Sequence, residues 1–482
     1  MRDVVIVGSG PTGMMLAGEL RLAGVDVEVL ERRATAELEG SRGGGIHSRS
    51  IELLDQRGIA ERFLEAGTTL SAATFGGTML DLGALPTRHP YTLALFQRDI
   101  EPLLRDWAEG LGARIRWGAE VVGVAQDEEG ADALLASGER VRARFVVGAD
   151  GGRSAVRRAA GIAMVGPDAT RSSIIAELRI EGEPRQLGKV DERGVHGAHP
   201  IGDGQVRVVL TEPELRRGDE PTLDDVRRGL VAAFGSDLGA HSPTWLSRFT
   251  DATRQAERYR DGRVLLAGDA AHVHSPTGGQ GIGLGLQDAV NLGWKLALVA
   301  RDLAGDALLE SYHAERHPAG ARALGYTMAQ SLFQRADPRQ EALKALLDEV
   351  LAVEGAGEPI AALIAGLDVA YELGEGHPLL GRRVPDVDLE TAAGRSRVHA
   401  LLREARPVLL RLGGAPLDVA AWRDRVELVD ATADGAWRLP VIGEVPPPTG
   451  LLVRPDGHVA WVGEGSSDGL GDALERWCGP AA

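Results

Sequence analysis

The sequence predicts an α/β fold built on a parallel, doubly wound sheet. Three observations carry this. Val4-Val5-Ile6-Val7 is a short, wholly apolar run, as expected of a strand buried on both faces, and it turns at once into Gly8-Ser9-Gly10-Pro11-Thr12-Gly13. Two later apolar runs end the same way, in Gly148-Ala149-Asp150-Gly151 and in Gly268-Asp269. The chain has 482 residues, which at roughly 150 residues per domain leaves room for about two domains besides the first.

The first unit is a phosphate cradle. After Gly13 a helix pattern runs over 14–23, with apolar Met15, Leu16, Leu20 and Leu22 around small Ala17 and Gly18. A second strand over 25–30 ends at Glu31. Gly8 permits the tight turn, Gly10 lets backbone approach a pyrophosphate, and Gly13 lets helix and strand pack closely. The helix start offers free N–H groups and a positive dipole end. Glu31 can accept from ribose hydroxyls, which suits an adenosine ribose without a 2′-phosphate. This unit binds a dinucleotide, and by itself it does not separate NAD from FAD.

Composition excludes other classes. The hydrophobic fraction is 44% and the charged fraction 26%, ordinary for a globular protein. Lys+Arg is 53 against Asp+Glu 70, a net charge of −17. Such a surface repels nucleic acid and anionic lipid, so neither is expected as a partner. No apolar run reaches the ~18 residues of a membrane span, and the N-terminus lacks a signal-peptide pattern. A cytoplasmic location is therefore expected. Cys478 is the single cysteine, which rules out an internal disulfide and a cysteine zinc site.

The motif Asp150-Gly151-Gly152-Arg153-Ser154-Ala155-Val156-Arg157 follows a strand and opens a helix. Gly268-Asp269 ends another strand and is followed by Pro276-Thr277-Gly278-Gly279-Gln280-Gly281, then a helix over 282–300. In this order the three motifs resemble the fingerprints of the single-component FAD-dependent aromatic hydroxylases, the group with the para-hydroxybenzoate hydroxylase fold. Asp55-Gln56-Arg57-Gly58, Gln287-Asp288-Ala289 and Ser311-Tyr312-His313-Ala314-Glu315-Arg316-His317-Pro318 are similar to actinobacterial aromatic polyketide hydroxylases of the angucycline type and to rifampicin monooxygenases.

The resemblance implies FAD as bound cofactor and NAD(P)H as transient reductant. It implies a flavin C4a-hydroperoxide that delivers oxygen from O₂ to a polycyclic phenolic ring. It places Asp269 on the ribityl chain, and Pro276, Gly279, Gly281, Ile282 and Gly283 along the ring. It further places Arg42 near the phosphates (with Arg49 as the alternative and Arg32 beside the ribose acid), Gln97 facing the flavin, Val122 at the adenine, and Gly8, Gly10, Thr12, Gly13, Glu31, Asp150 and Gly268 in the remaining cofactor contacts. Relatives commonly carry Asn where this chain has Gly283, so a contact to the ring edge is expected to be lost. No catalytic acid or base is assigned. His272 and His274 make too poor a ligand set for a metal; His272 is expected to support the Gly-Asp turn. His47 is either near the ring or a solvated loop residue.

The domains implied are an FAD-binding domain (1–72, 96–165 and 256–372), a β-sheet substrate domain (73–95 and 166–255) and a thioredoxin-like C-terminal domain (373–482) without Cys-x-x-Cys. In the middle domain, alternation in Gln205-Val206-Arg207-Val208 puts Val206 and Val208 on one face, either pocket lining or core. The C-terminal part is expected to open with an extended linker, to hold a helix over 417–425 and a hairpin at Asp456-Gly457, and to contribute to a possible homodimer. The function classes left are polyketide tailoring, antibiotic inactivation of the rifampicin type, a non-oxidising flavin or ligand binder, and a flavin reductase.

Overall fold

Val4, Val5 and Ile6 are fully buried because the strand Arg2–Val7 lies inside a sheet with neighbours on both sides. It pairs in parallel with Val27–Glu31 on one side and Arg140–Gly148 on the other. Arg140–Gly148 pairs in turn with Val264–Leu266. This is a computed structural model of the chain, and it describes every residue except 39, 41, 42, 184, 185, 415 and 482. In register, Val7 lies opposite Leu30 and Gly148, and Gly148 opposite Leu266. The strands that carry the three motifs therefore end side by side, and Arg2–Val7 sits where the chain order reverses, the place where open α/β sheets bind ligands.

The helices Pro11–Leu22 and Gln280–Ala300 pack against each other over this sheet. Gly293 allows the crossing, since a Cβ there would stand 2.5 Å from Glu19 Cβ. Gly18 does the same for Trp107 of the helix Gln97–Gly110, at 2.1 Å.

The middle sheet is antiparallel. Its strands run in the order Leu187–Val190, Val195–Gly202, Gln205–Thr211, Ser172–Arg179, His241–Thr250. The helix Leu223–Phe234, closed at its start by a Thr222/Asp225 capping box, covers one face. Val206 and Val208 point to that helix and form a core with Ile174, Ala176, Leu178 and Leu230. Of the two readings, core is therefore the right one. The opposite face carries Arg207, Glu177 and Trp245 in one cross-strand row, and Val209, Ile175 and Ser247 in the next.

The C-terminal sheet has six strands, with Val408–Arg411 parallel to Glu427–Asp434 and antiparallel to Gly450–Val453. The expected hairpin is present: Gly450–Val453 pairs with Val459–Gly463. The linker departs from expectation, because Leu379 and Val384 are buried in the core of this domain. So does the helix over 417–425, which is only a 3₁₀ turn, Ala420–Trp422. Trp422 Nε1 donates to Gly479 O and Arg425 to Cys478 O, so tertiary bonds override local propensity there. Among the described residues no helix is long and apolar enough to cross a membrane.

Candidate active site

The cradle is built by contrast between its glycines. A Cβ on Gly13 would lie 2.0 Å from Gly8 O, and one on Gly8, at φ +105°, would lie 2.4 Å from Ala149 O. Both positions are closed by backbone. Gly10 faces open space, with nothing within 4 Å. The Thr12 side chain is wedged between Gly268 and Gly285, its Oγ1 2.5 Å and 2.2 Å from where their Cβ atoms would be. Thr12 thus packs with its side chain and leaves its N–H, like that of Gly13, at the open helix start.

Glu31 is 6% exposed. It accepts from Ser9 N at 2.9 Å, Ser9 Oγ at 2.8 Å and Arg33 N at 2.9 Å. Burial pushes its pKa up, but the N–H groups of Arg33 and Ser9 more than offset this and hold it below the ordinary value. The arginine ordered here is Arg33, which also reaches Glu101 and Ser9 Oγ, both at 2.9 Å; the Arg32 side chain is exposed. Ala119 N donates to Glu31 O, so the strand Val121–Gln126 begins beside the acid, with Val122 56% exposed.

Arg42 lies outside the described residues. Arg49 does not serve as its alternative. It is buried, paired with Glu52 at 2.9 Å and bonded to Asp456 O at 2.7 Å, facing the C-terminal domain. Asp150 caps the short helix after it, Oδ2 accepting from Ala155 N at 2.7 Å and Val156 N at 3.2 Å, while its buried Oδ1 has no protein partner.

On the third motif, Gly268 N donates to Asp288 Oδ2 at 3.1 Å, and the Asp269 side chain is exposed at the strand end. A Cβ on Gly281 would stand 3.7 Å from His274 Nε2 and 3.8 Å from Asp269 Oδ1. His274 Nε2 is buried without a partner. Pro276 and Gly279 are exposed, and Gly278 O accepts from His47 Nε2 at 3.0 Å. His47 is thus a loop anchor rather than a solvated residue, and burial holds its pKa below the ordinary value despite that bond. Gln97 Oε1 and Ile282 Cδ1 converge on Gly43, 3.5 Å and 2.4 Å from its Cβ position. A Cβ on Gly283 would stand 2.8 Å from Ser50 Oγ, so a side chain there would have to displace that hydroxyl. His272 supports the turn as expected, its Nε2 2.6 Å from Asp288 Oδ2.

These residues fit FAD. The open space at Gly10 leaves room for a pyrophosphate, and Asp150 Oδ1, His274 Nε2 and His47 Nδ1 are buried polar atoms without partners among the described residues. A dinucleotide cradle with a second carboxylate turn at a neighbouring strand end defines a flavoprotein. Residues 1–327 match the FAD-binding domain family, and residues 377–481 match the C-terminal domain of aromatic-ring hydroxylases. The chain is 45% identical to rifampicin monooxygenase of Streptomyces venezuelae, over 100% of this chain and 99% of that one. It is 44% identical to 12-dehydrotetracycline 5-monooxygenase/anhydrotetracycline 6-monooxygenase of Streptomyces rimosus, over 100% and 99%. The solved anhydrotetracycline hydroxylase of Streptomyces rimosus superposes with a TM-score of 0.91 at 44% identity, each chain covered 100%. The chain belongs to the FAD-dependent aromatic-ring hydroxylases and is an enzyme of that family.

Proposed function

We propose that the enzyme hydroxylates a polycyclic phenolic compound of the aromatic polyketide kind, using NAD(P)H and O₂. The observation that carries this is the face of the middle sheet turned away from the helix Leu223–Phe234, where Ile175 and Arg207 are buried. Ile175 and Val209 give it apolar surface, Trp245 gives it an aromatic edge, and Arg207 gives it one positive group. The Arg207 guanidinium lies 4.2 Å above the Phe96 ring, which directly precedes Gln97 of the cradle. Arg207 pairs with Glu177, yet its buried Nε has no partner among the described residues. Arg98 shares the same carboxylate at 3.7 Å and also pairs with Asp99 at 3.9 Å. A flat fused-ring phenol suits this surface, its ionised oxygen accepting from the Arg207 Nε–H.

In this reading the N–H groups of Thr12 and Gly13 bind the pyrophosphate, Glu31 the adenosine ribose and Asp269 the ribityl hydroxyls. The start of Gln280–Ala300 meets the ring edge, where its positive end stabilises negative charge. FAD, when bound, supplies the redox and oxygen-activating chemistry. Arg207 favours the phenolate, the form most reactive toward an electrophilic oxygen, and the sheet above excludes water. The names of the relatives, a rifampicin and an anhydrotetracycline monooxygenase, point the same way. The test is NAD(P)H oxidation by the FAD-loaded enzyme across fused-ring phenols, rifamycins and single-ring phenols. Stimulation by fused-ring phenols with a hydroxylated product is expected. Equal response to a single-ring phenol would overturn the substrate class.

A further inference from the structure

The C-terminal domain follows the last flavin motif in sequence, but one turn of it is buried against the helix Gln280–Ala300 that the motif opens. Arg454, Asp456 and His458 at the hairpin tip are 1%, 2% and 5% exposed. Asp456 Oδ2 accepts from Asn291 Nδ2 at 3.0 Å, and Asn291 stands on the helix whose start meets the flavin ring. The same Nδ2 lies 3.3 Å from Tyr371 Oη, and Arg316 donates to that oxygen, also at 3.3 Å. Arg316 Nε then donates to Asp288 Oδ1 at 2.8 Å. Asp288 Oδ2 receives the Gly268 N–H and the His272 imidazole, as described above. A continuous chain of buried polar contacts therefore runs from the C-terminal hairpin to the turn that presents Asp269.

We propose that the C-terminal domain is a working part of the flavin site: through Asn291, Tyr371 and Arg316, the Asp456 turn fixes the Asp288 carboxylate and with it the position of the Gly268-Asp269 turn and the helix Gln280–Ala300. Asp456 and Tyr371 are positioning residues, since neither is part of the cradle. Two features favour this over simple domain glue. Asp288 is fully buried and both of its oxygens are bonded, so it adds a fixed side-chain anchor to the backbone bonds of the turn, Ala267 N to Gly148 O and Ala271 N to Gly268 O. Tyr371 bridges the two parts of the chain, its hydroxyl meeting Asn291 and Arg316 while its ring lies against His458 of the hairpin at 4.3 Å between centroids. A polar network of this kind fixes geometry only while every member is satisfied.

The proposal rests on Asp269 contacting FAD, and the experiment separates the two. Tyr371→Phe removes only the bridging oxygen and keeps the ring; Asp456→Asn keeps the size and removes the charge. Both are purified with FAD and measured for FAD dissociation constant, flavin absorption spectrum, midpoint potential and apoprotein melting. Tyr371→Phe is expected to weaken FAD binding by about tenfold and to displace the flavin bands and the potential, with the apoprotein melting close to wild type. Asp456→Asn is expected to move the flavin readouts in the same direction. Asp269→Ala tests the placement alone and is expected to lose FAD. Loss of FAD in Asp269→Ala with wild-type affinity, spectrum and potential in Tyr371→Phe would overturn the proposal and spare the placement. Full FAD retention in Asp269→Ala would overturn both.

Discussion

Gly10 and Gly13 belong to one motif but answer to different constraints, and alanine at each separates them. At Gly10 the backbone sits at φ −67°, ψ 178°, open to any residue, and the space beyond is empty. Gly10→Ala therefore leaves the apoprotein within about 1 kcal/mol of wild type, a small capping loss set against a stiffer unfolded chain. Its methyl group would project into the space where the proposed pyrophosphate approaches. Losing one or two charge-assisted bonds there costs about 3 kcal/mol, roughly a hundredfold in FAD affinity. At Gly13 the added methyl would sit 2.0 Å from Gly8 O, where ordinary contact begins at 3.4 Å. The obstruction is backbone at the end of a central strand, so relief means moving the helix Pro11–Leu22 off the sheet. That costs about 3 kcal/mol, the upper range for overpacking. Urea unfolding of the apoproteins and fluorescence titration with FAD measure the two effects. If Gly10→Ala binds FAD as wild type does, or if Gly13→Ala unfolds as wild type does, the assignment of open and closed positions is refuted.

Acid should detach the C-terminal domain. Glu52 and Glu315 are buried, which raises a carboxyl pKa, but Arg383 and Arg49 beside the first and Arg454 and Lys295 beside the second bring each down from 4.5 to about 2. A lowered pKa stabilises the fold above the unfolded value and is lost as pH falls through the folded one, so each contributes about 3 kcal/mol that disappears between about pH 4.5 and 2. Both pairs tie the two ends of the chain together, and Trp477 packs on Trp294 at 6.3 Å between ring centroids, so tryptophan fluorescence followed against pH reports the separation; a flat trace across that window would contradict it. Arg207→Ala is expected to raise KM for a phenolic substrate about tenfold or more, with a smaller effect on kcat, and Arg207→Lys to recover only part, because the freed bond is directional. Steady-state kinetics decide this, and an unchanged KM removes Arg207 from substrate binding.

The three cofactor motifs were legible because each is local: an apolar strand, a glycine turn and an acid are adjacent in sequence, and the parallel register brings the strand ends together. Arginines were the opposite case. Arg33 rather than its neighbour Arg32 joins Glu31, and Arg49 turns to the C-terminal domain, because a long side chain takes its partner from the tertiary fold. Alternation grouped Val206 with Val208 correctly, but only the helix Leu223–Phe234 decides which face of the strand is core. Tyr371 and Asp456 carry no local signature, since their partners lie 80 and 165 residues away from them on Asn291.

The proposed reaction of this enzyme is insertion of oxygen into a fused-ring phenol. Turnover of the FAD-loaded enzyme under ¹⁸O₂ with NAD(P)H and such a phenol tests it most directly, read by mass spectrometry of the product. One ¹⁸O atom per product molecule is expected, with one NAD(P)H consumed for each. NAD(P)H consumption that yields only hydrogen peroxide with every phenol tried, or a product labelled from water, would contradict it.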